Sequence, residues 1–371
     1  MRIYFIGQKG IPTIAGGIEK HVEMLSLELV ALGHEVFVYT RPYYTDKNLT
    51  EYKGIHLISL PTIKRKNLDA IYHTLRATLH VMRQDADIIH YQGIGPSLLC
   101  WIPKLFKRKS KVVSTIHSDD RQHDKWSRFA KFMLGLGARI ACRVPDATIA
   151  IAKYQKDEFE KEFGGTLTYI PNGVTVQQKV APHLITQKWG LRGDDYIFFI
   201  SRFIAHKGLH HLIEAYNRLG DCGKKLVVVG GSAHTDEYTT QVENMARQNH
   251  NIIMCGFVSG QALLELYSNA YVYVIPSEYE GLSIALLELM SYGTPTIASD
   301  IVPNQEALGG EGLLFKAGDV DDLYEQLSFA LTHPNEMKAM GPKLIARVAG
   351  EYSWKRIGEE TGTLYERLRR N

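Results

Sequence analysis

The stretch Tyr271-Val-Tyr-Val-Ile275, followed by Pro276-Ser-Glu-Tyr-Glu280-Gly-Leu-Ser283 and Ile284-Ala-Leu-Leu-Glu288-Leu-Met-Ser-Tyr-Gly293-Thr-Pro295, reads as a strand, its exit loop and a helix. The first run is apolar throughout, as in a strand buried on both faces of a parallel sheet. Leu282, Ala285, Leu286, Leu289 and Met290 repeat at helical spacing and predict a helix start near Leu282 or Ser283. Glu280 therefore falls at the carboxyl edge of an open α/β sheet, where such sheets bind ligands. The helix start offers backbone N–H groups to an anionic oxygen. Glu288 lies about 12 Å farther along the axis, at ~1.5 Å per residue, if the whole segment is helical. One carboxylate is then placed to hold a sugar and the other a ribose, as an enzyme handling an activated sugar requires. For two isolated glutamates the plainer explanation is one charged residue ahead of the helix and one solvated residue within it. Leu286-Leu287 before Glu288 and Leu289-Met290 after it argue against simple solvation.

Working outward, the same strand-then-helix unit recurs along the chain. Ile3 to Ile6, a helix from about Ile18 to Leu32, Val36 to Thr40, Ile88 to Tyr91, Val112 to Ile116 and Ala147 to Ala150 make up the first half. Tyr196 to Ile200, Leu226 to Val229, Ile252 to Met254, Tyr271 to Ile275 and Thr296 to Ala298 make up the second. Repeated βα units imply parallel sheets covered on both faces, so each half is expected to be its own doubly wound α/β domain, over 1–170 and 194–352. Ile170-Pro-Asn-Gly-Val174 is a turn signal suited to a hinge, and the polar, weakly periodic residues up to Gly193 complete an expected linker over 171–193.

The 371 residues are enough for two domains of ordinary size. Cys100, Cys142, Cys222 and Cys255 show neither disulfide-framework nor zinc-ligand spacing, which suits a reducing cytoplasm. The amino terminus enters a strand after one basic residue, without the apolar core of a secretory leader. No run approaches the ~20 apolar residues of a spanning helix. Net charge is only +3, yet residues 1–170 carry 25 Lys+Arg against 17 Asp+Glu while the remainder carries 18 against 23. Lys64-Arg-Lys66 supplies part of this excess. So do Lys104, Lys107, Arg108, Lys109 and Lys111, which lie beside Trp101, Leu105 and Phe106. Such clusters suit either an anionic membrane surface or plain solvation. No nucleic-acid-binding motif accompanies them, so nucleic acid is not expected as a partner.

Three loops carry further candidates. Gly16-Gly17 precedes the first helix and lets backbone approach a phosphate or sugar, although a tight turn explains the pair equally; neither a dinucleotide fingerprint nor a Walker sequence is present. Arg202 and Lys207 follow the second half's first strand, where they can meet the charge of a departing diphosphate without a metal. His117 ends the strand Val112-Val-Ser-Thr-Ile116 and is placed to hydrogen-bond a reacting sugar, though a lone histidine is more often structural. Asp85-Ala-Asp87 directly precedes a strand and is read as its polar start, so no metal site is expected.

Gly16-Gly17, Thr115-Ile-His117, Pro171-Asn-Gly173, Arg202 with Lys207-Gly208, and Glu280 with Glu288 followed by Gly293-Thr-Pro295 occur in one order along the chain. In this the chain resembles the family-4 retaining glycosyltransferases of the GT-B fold, over essentially its full length. Gly7-Gln-Lys-Gly-Ile-Pro12 through Gly17-Ile-Glu-Lys-His21 further resembles bacterial members that build surface polysaccharides. The resemblance implies two Rossmann-like domains facing each other across a cleft, with the last helix, 353–371, returning to the first domain. It implies that His117 contacts the donor sugar near its reacting carbon and that Arg202 and Lys207 bind the diphosphate. Glu280 and the backbone of Gly281, Leu282 and Ser283 would hold sugar and phosphate oxygens, Glu288 the ribose, and Phe257 and Val258 the base. The family's acidic residue after the strand-end histidine is here Ser118, with Asp119 one place later. The activity so implied is metal-independent, cofactor-free transfer of a hexosyl unit from a nucleotide sugar, a UDP-sugar, to a lipid-linked or polysaccharide acceptor at the inner face of the cytoplasmic membrane. The alternatives are an epimerase or phosphorylase on the same fold, or a noncatalytic carbohydrate-binding subunit. Departure and attack on one face is preferred for retention, with Glu280 as a nucleophile the other route.

Overall fold

The computed structural model describes residues 1–14, 16–63, 68–119, 121, 128–232 and 237–370. Lys64 to Lys66, counted above among the basic clusters, lie outside the described residues. The chain divides into two compact units, Met1–Gly173 with Trp354–Asn371, and Val174–Ser353.

In the first unit eight strands alternate with helices. They are β1 (Arg2–Ile6), α1 (Gly17–Ala31), β2 (Glu35–Thr40), β3 (Glu51–Tyr52), β4 (Ile55–Ser59), α2 (Asp69–Val81), β5 (Ile88–Gln92), α3 (Ile94–Ser97), α4 (Trp101–Phe106), β6 (Lys111–Ile116), α5 (Arg128–Arg143), β7 (Ala147–Ala150), α6 (Lys153–Phe163) and β8 (Leu167–Tyr169). Their order across the sheet is β3-β4-β2-β1-β5-β6-β7-β8. Among the described residues only β3 pairs antiparallel, with β4. Strand alternation sorts the apolar side chains onto two faces. Ile3, Phe5, Val36, Val38 and Ile88 pack with Val22, Leu25 and Leu29 of α1, whereas Tyr4, Ile6, Ile89 and Tyr91 pack with Ala77 and Val81 of α2.

The second unit runs α7 (Leu184–Trp189), β9 (Tyr196–Arg202), α8 (Leu209–Arg218), β10 (Lys225–Gly231), α9 (Glu237–Arg247), β11 (Ile252–Gly256), α10 (Gly260–Asn269), β12 (Val272–Ile275), α11 (Ile284–Ser291), β13 (Thr296–Ser299), α12 (Val302–Leu308), β14 (Leu313–Phe315), α13 (Val320–Thr332) and α14 (Pro334–Glu351). Its six strands form a parallel sheet in the order β11-β10-β9-β12-β13-β14. The final helix α15 (Trp354–Arg370) belongs to the first unit, where Trp354, Ile357, Leu364 and Tyr365 join the α1 face of the core. Each such large apolar side chain contributes roughly 1.5–3 kcal/mol on burial.

One sequence expectation is corrected here. The chain passes between units at Gly173 and Val174, and residues 174–193 are part of the second unit rather than a linker. The reason is Glu265 of α10, whose Oε2 accepts the His183 and Ile185 N–H groups at 2.8 and 3.1 Å and so fixes the start of α7. The helix start expected near Leu282 or Ser283 lies close to the observed one: α11 begins at Ile284, after the cap residue Ser283, so Glu280 stands ahead of the helix. β3, β4, β8 and β14 add strands that the sequence reading lacked.

Candidate active site

In a parallel sheet every strand ends at the same edge, so the loops after β9, β11 and β12 share the carboxyl edge of the second unit's sheet. Arg202 is the exposed last residue of β9, and a 3-10 turn over Ala205–Lys207 carries the chain to Gly208. Gly208 has φ +69°, and a Cβ there would stand 2.1 Å from the Pro276 carbonyl oxygen. Only glycine permits that approach, and it brings the β9 loop against the β12 loop. The Glu278 N–H donates to the His206 carbonyl at 2.9 Å and reinforces the contact.

The result is a direct meeting of two predicted residues: Lys207 Nζ donates to Glu280 Oε1 at 2.5 Å. Both side chains are largely buried. The Ser277 hydroxyl donates to the same carboxylate oxygen at 2.8 Å. Ser277 is itself held, because Ser299 of β13 donates to its carbonyl at 2.5 Å. Gly281, Leu282 and Ser283 lead from Glu280 into α11, where the Ser283 hydroxyl accepts the Leu286 N–H at 3.4 Å. The first N–H groups of the helix have no carbonyl partner within it, which makes the start of α11 a place for an anionic oxygen. Glu288 is half-buried one turn farther on and accepts the Tyr267 hydroxyl of α10 at 3.2 Å. Burial pushes the Tyr273 phenol up, and both Glu280 and Glu288 push it further, so one buried ring senses the two carboxylates. Phe257 and Val258 follow β11, two strands away from β9, with Phe257 exposed.

The remaining candidates lie in the first unit. His117 follows β6, is buried, and its Nε2–H donates to Gln92 Oε1 at 2.7 Å. The neutral ring then presents Nδ1 as an acceptor. His21 of α1 meets it edge-on, with ring centroids 4.8 Å apart, and is bonded through Nδ1 to Asn172 Oδ1 at 2.9 Å. His90 lies on the same face of the sheet, bonded to Thr115 at 2.7 Å and to Tyr365 of α15 at 2.6 Å. Burial, then His21 and His90, hold His117 well below the ordinary histidine range. Burial pulls His21 down to about 4. Asp119, the acid displaced by one place, is committed to Arg121: its two oxygens accept from Nε and Nη2 at 2.7 Å each. Gly16 has φ +113°, and a Cβ there would collide with the Glu19 carboxylate. Glu19 and Glu23 accept the Lys9 and Thr13 N–H groups at 3.0 and 2.6 Å. Gly16 thus fits the chain's own loop, and Gly17 is the first residue of α1. Asp85 and Asp87 pair with Arg2 at the opposite, amino edge of the sheet.

The family model described as Glycosyltransferase Family 4 matches residues 15–178, and the one described as Glycosyl transferases group 1 matches residues 184–346. The chain belongs to the family-4 glycosyltransferases, with the GT-B fold. It is 25% identical to the MMP alpha-(1->4)-mannosyltransferase of Mycolicibacterium hassiacum, across 99% of this chain and 98% of that one. The sucrose-phosphate synthase of Thermosynechococcus elongatus superposes with a TM-score of 0.83 at 23% identity, covering 99% and 98% of the two chains. The Anabaena protein HepE, solved in complex with UDP-glucose, superposes with a TM-score of 0.80 at 17% identity, covering 99% and 100%.

In this glycosyltransferase the polar groups of the second unit combine a buried cation, a carboxylate and a helix start at one sheet edge, a set able to receive both hydroxyls and phosphate oxygens. The first unit offers a neutral imidazole in a fixed tautomer. The partners that fix it, Gln92, His90 and His21, were not among the sequence candidates. A signal for two of them was present: Ile88-Ile-His-Tyr-Gln92 places two polar residues, at period two, inside an apolar strand, where each needs a hydrogen-bond partner.

Proposed function

We propose that this glycosyltransferase moves a hexosyl unit, with retention, from a UDP-sugar to a lipid-linked or polysaccharide acceptor of the bacterial cell surface, without a metal. The observation that carries the donor side is the Lys207–Glu280 pair beside the start of α11. Glu280 and the backbone from Gly281 to Ser283 receive sugar and phosphate oxygens, Glu288 the ribose, Arg202 and Lys207 the diphosphate, and Phe257 with Val258 the base. HepE, similar over its whole length, holds UDP-glucose in its solved structure. The acceptor oxygen attacks the anomeric carbon on the face from which the diphosphate leaves. The bond from carbon to acceptor oxygen forms as that to phosphate oxygen breaks, and the hydroxyl proton passes to the leaving phosphate. Lys207 and the helix start meet the charge that develops there, and His117 Nδ1 accepts from a sugar hydroxyl.

For the acceptor side, α5 exposes Phe129, Phe132 and Leu136 at helical spacing with Arg128 and Arg139 beside them. Phe132, Leu136 and Phe163 line a groove of about 420 Å³ together with Arg139, Arg143 and the Arg121–Glu162 ion pair. Apolar surface next to cations suits an anionic lipid or a lipid phosphate at the inner face of the membrane. Among the described residues no helix is long and apolar enough to cross a membrane.

Calorimetric titration with UDP and UDP-sugars tests the donor side. Lys207→Ala should weaken binding about 10- to 100-fold, the scale of a charge-assisted hydrogen bond of ~1.5–3 kcal/mol. His117→Ala should instead lower kcat with UDP affinity intact. Wild-type binding in the lysine variant, or activity abolished by a chelator and restored by manganese, would refute the reading. Phe129→Ser with Phe132→Ser should reduce sedimentation with anionic vesicles, and unchanged sedimentation removes membrane contact from the proposal.

A further inference from the structure

A second group of polar side chains lies beside the Lys207–Glu280 pair. His210 and His211 stand in the first turn of α8, and Glu278 in the loop after β12. One ligand atom from each lies within 4.8 Å of the others. His211 Nε2 is 3.1 Å from Glu278 Oε1, close to the ~3.3 Å between ligand atoms around a tetrahedral zinc ion with bonds near 2.0–2.1 Å. The two imidazole rings are 3.9 Å apart between centroids, and the Tyr238 hydroxyl, 3.0 Å from His210 Nδ1, orients the first of them. Ligating imidazoles are ordinarily held by such a partner.

The framework under these residues is fixed. The backbone bond from Glu278 to His206 and the close approach of Gly208 to the Pro276 carbonyl lock the two loops together. The side chains above are half-buried for the histidines and exposed for Glu278, so modest rotations can close the set around an ion.

We propose that His210, His211 and Glu278 form a binding site for a divalent transition ion of the zinc type. Two imidazoles and one carboxylate suit zinc and its neighbours, whereas magnesium and calcium require oxygen-only shells. Glu278 is two residues from Glu280 and His211 four from Lys207, so an ion held here is placed to change donor affinity. That consequence rests on the donor reading of Lys207 and Glu280; the site itself does not.

Calorimetric titration of the tag-free full chain with zinc chloride is the test. One site is expected in the wild type, with affinity at least ~10-fold weaker in both His211→Gln and Glu278→Ala, and no competition from magnesium chloride. No zinc binding by the wild type, or equal affinity in the wild type and both variants, overturns the site. UDP affinity is then measured with and without saturating zinc. A shift that disappears in His211→Gln supports the coupling, and identical UDP affinity with the ion bound overturns it. Failure of UDP to bind at all strikes the donor reading, while the zinc titration still decides the site.

Discussion

At the scale of single residues, what matters about His117 is which nitrogen carries its proton. Gln92 settles that by accepting Nε2–H at 2.7 Å, and a carboxamide can do so without favouring the charged ring. Replacing Gln92 by glutamate keeps the shape and adds a charge. An opposite charge in contact raises a histidine by about 1–3 pH units, so the variant ring takes up its proton at a higher pH than the wild-type ring does, and Nδ1 then turns from acceptor to donor. In the pH–rate profile of Gln92→Glu, activity should fall on the acid side at a higher pH than in the wild type and recover as pH rises. Gln92→Leu, which removes the tautomer restraint without adding charge, should lower kcat with little change in that midpoint. Superimposable profiles for the glutamate variant and the wild type would mean that His117 does not work as a neutral acceptor. Residue partnerships of this kind are the part least legible in the sequence. His21 and Asn172 are 151 positions apart and His90 and Tyr365 275 apart. No local pattern reports contacts closed by the sheet register and by the return of α15.

At the scale of elements, the donor site depends on two loops being pressed together, and Gly208 is where they touch. Gly208→Ala puts a Cβ into the Pro276 carbonyl at a left-handed φ, for a cost of order 1–3 kcal/mol from backbone strain before the clash is counted. The variant should melt earlier and bind UDP more weakly than the wild type, although it removes no polar group. Unchanged UDP affinity in a folded variant would separate the loop contact from the donor site. The loops' positions were readable because buried parallel strands are apolar runs bounded by Gly, Pro and polar residues, as in β9 and β12. Short or edge strands carry less pattern: β3 has two residues, β8 and β14 three each, and β4, Ile55-His-Leu-Ile-Ser59, mixes polar and apolar positions. Residues 174–193 read as a linker because their order comes from outside the segment, from Glu265 and from Asn269, whose Nδ2 donates to the Val180 carbonyl at 2.9 Å.

At the scale of the whole molecule, buried histidines are unequally shared between the units. Burial draws His21 and His73 down to about 4 and His90 and His117 well below 6.5, and all four lie in the first unit. In the unfolded chain each takes up a proton near pH 6.5, whereas in the folded unit it resists until far lower. The unfolded state therefore binds more protons below pH 6.5, and stability falls as the pH drops. The contribution of each ring is complete above about 6.5 and is lost at up to about 1.4 kcal/mol per pH unit until its folded value is reached. For His21 that window runs from 6.5 to about 4. In the second unit burial draws His210 down, and that ring is only partly buried. Scanning calorimetry between pH 7.5 and 5 should thus show an acid-sensitive transition belonging to the first unit, moving to lower temperature faster than that of Val174–Ser353. His21→Gln should start less stable at pH 7.5, because the bond to Asn172 is weakened, yet lose stability less steeply on acidification, because one of the four titrations is gone. A slope in the variant equal to that of the wild type would show that His21 is not held neutral by the fold, and the imidazole cluster around His117 would then lose its electrostatic basis.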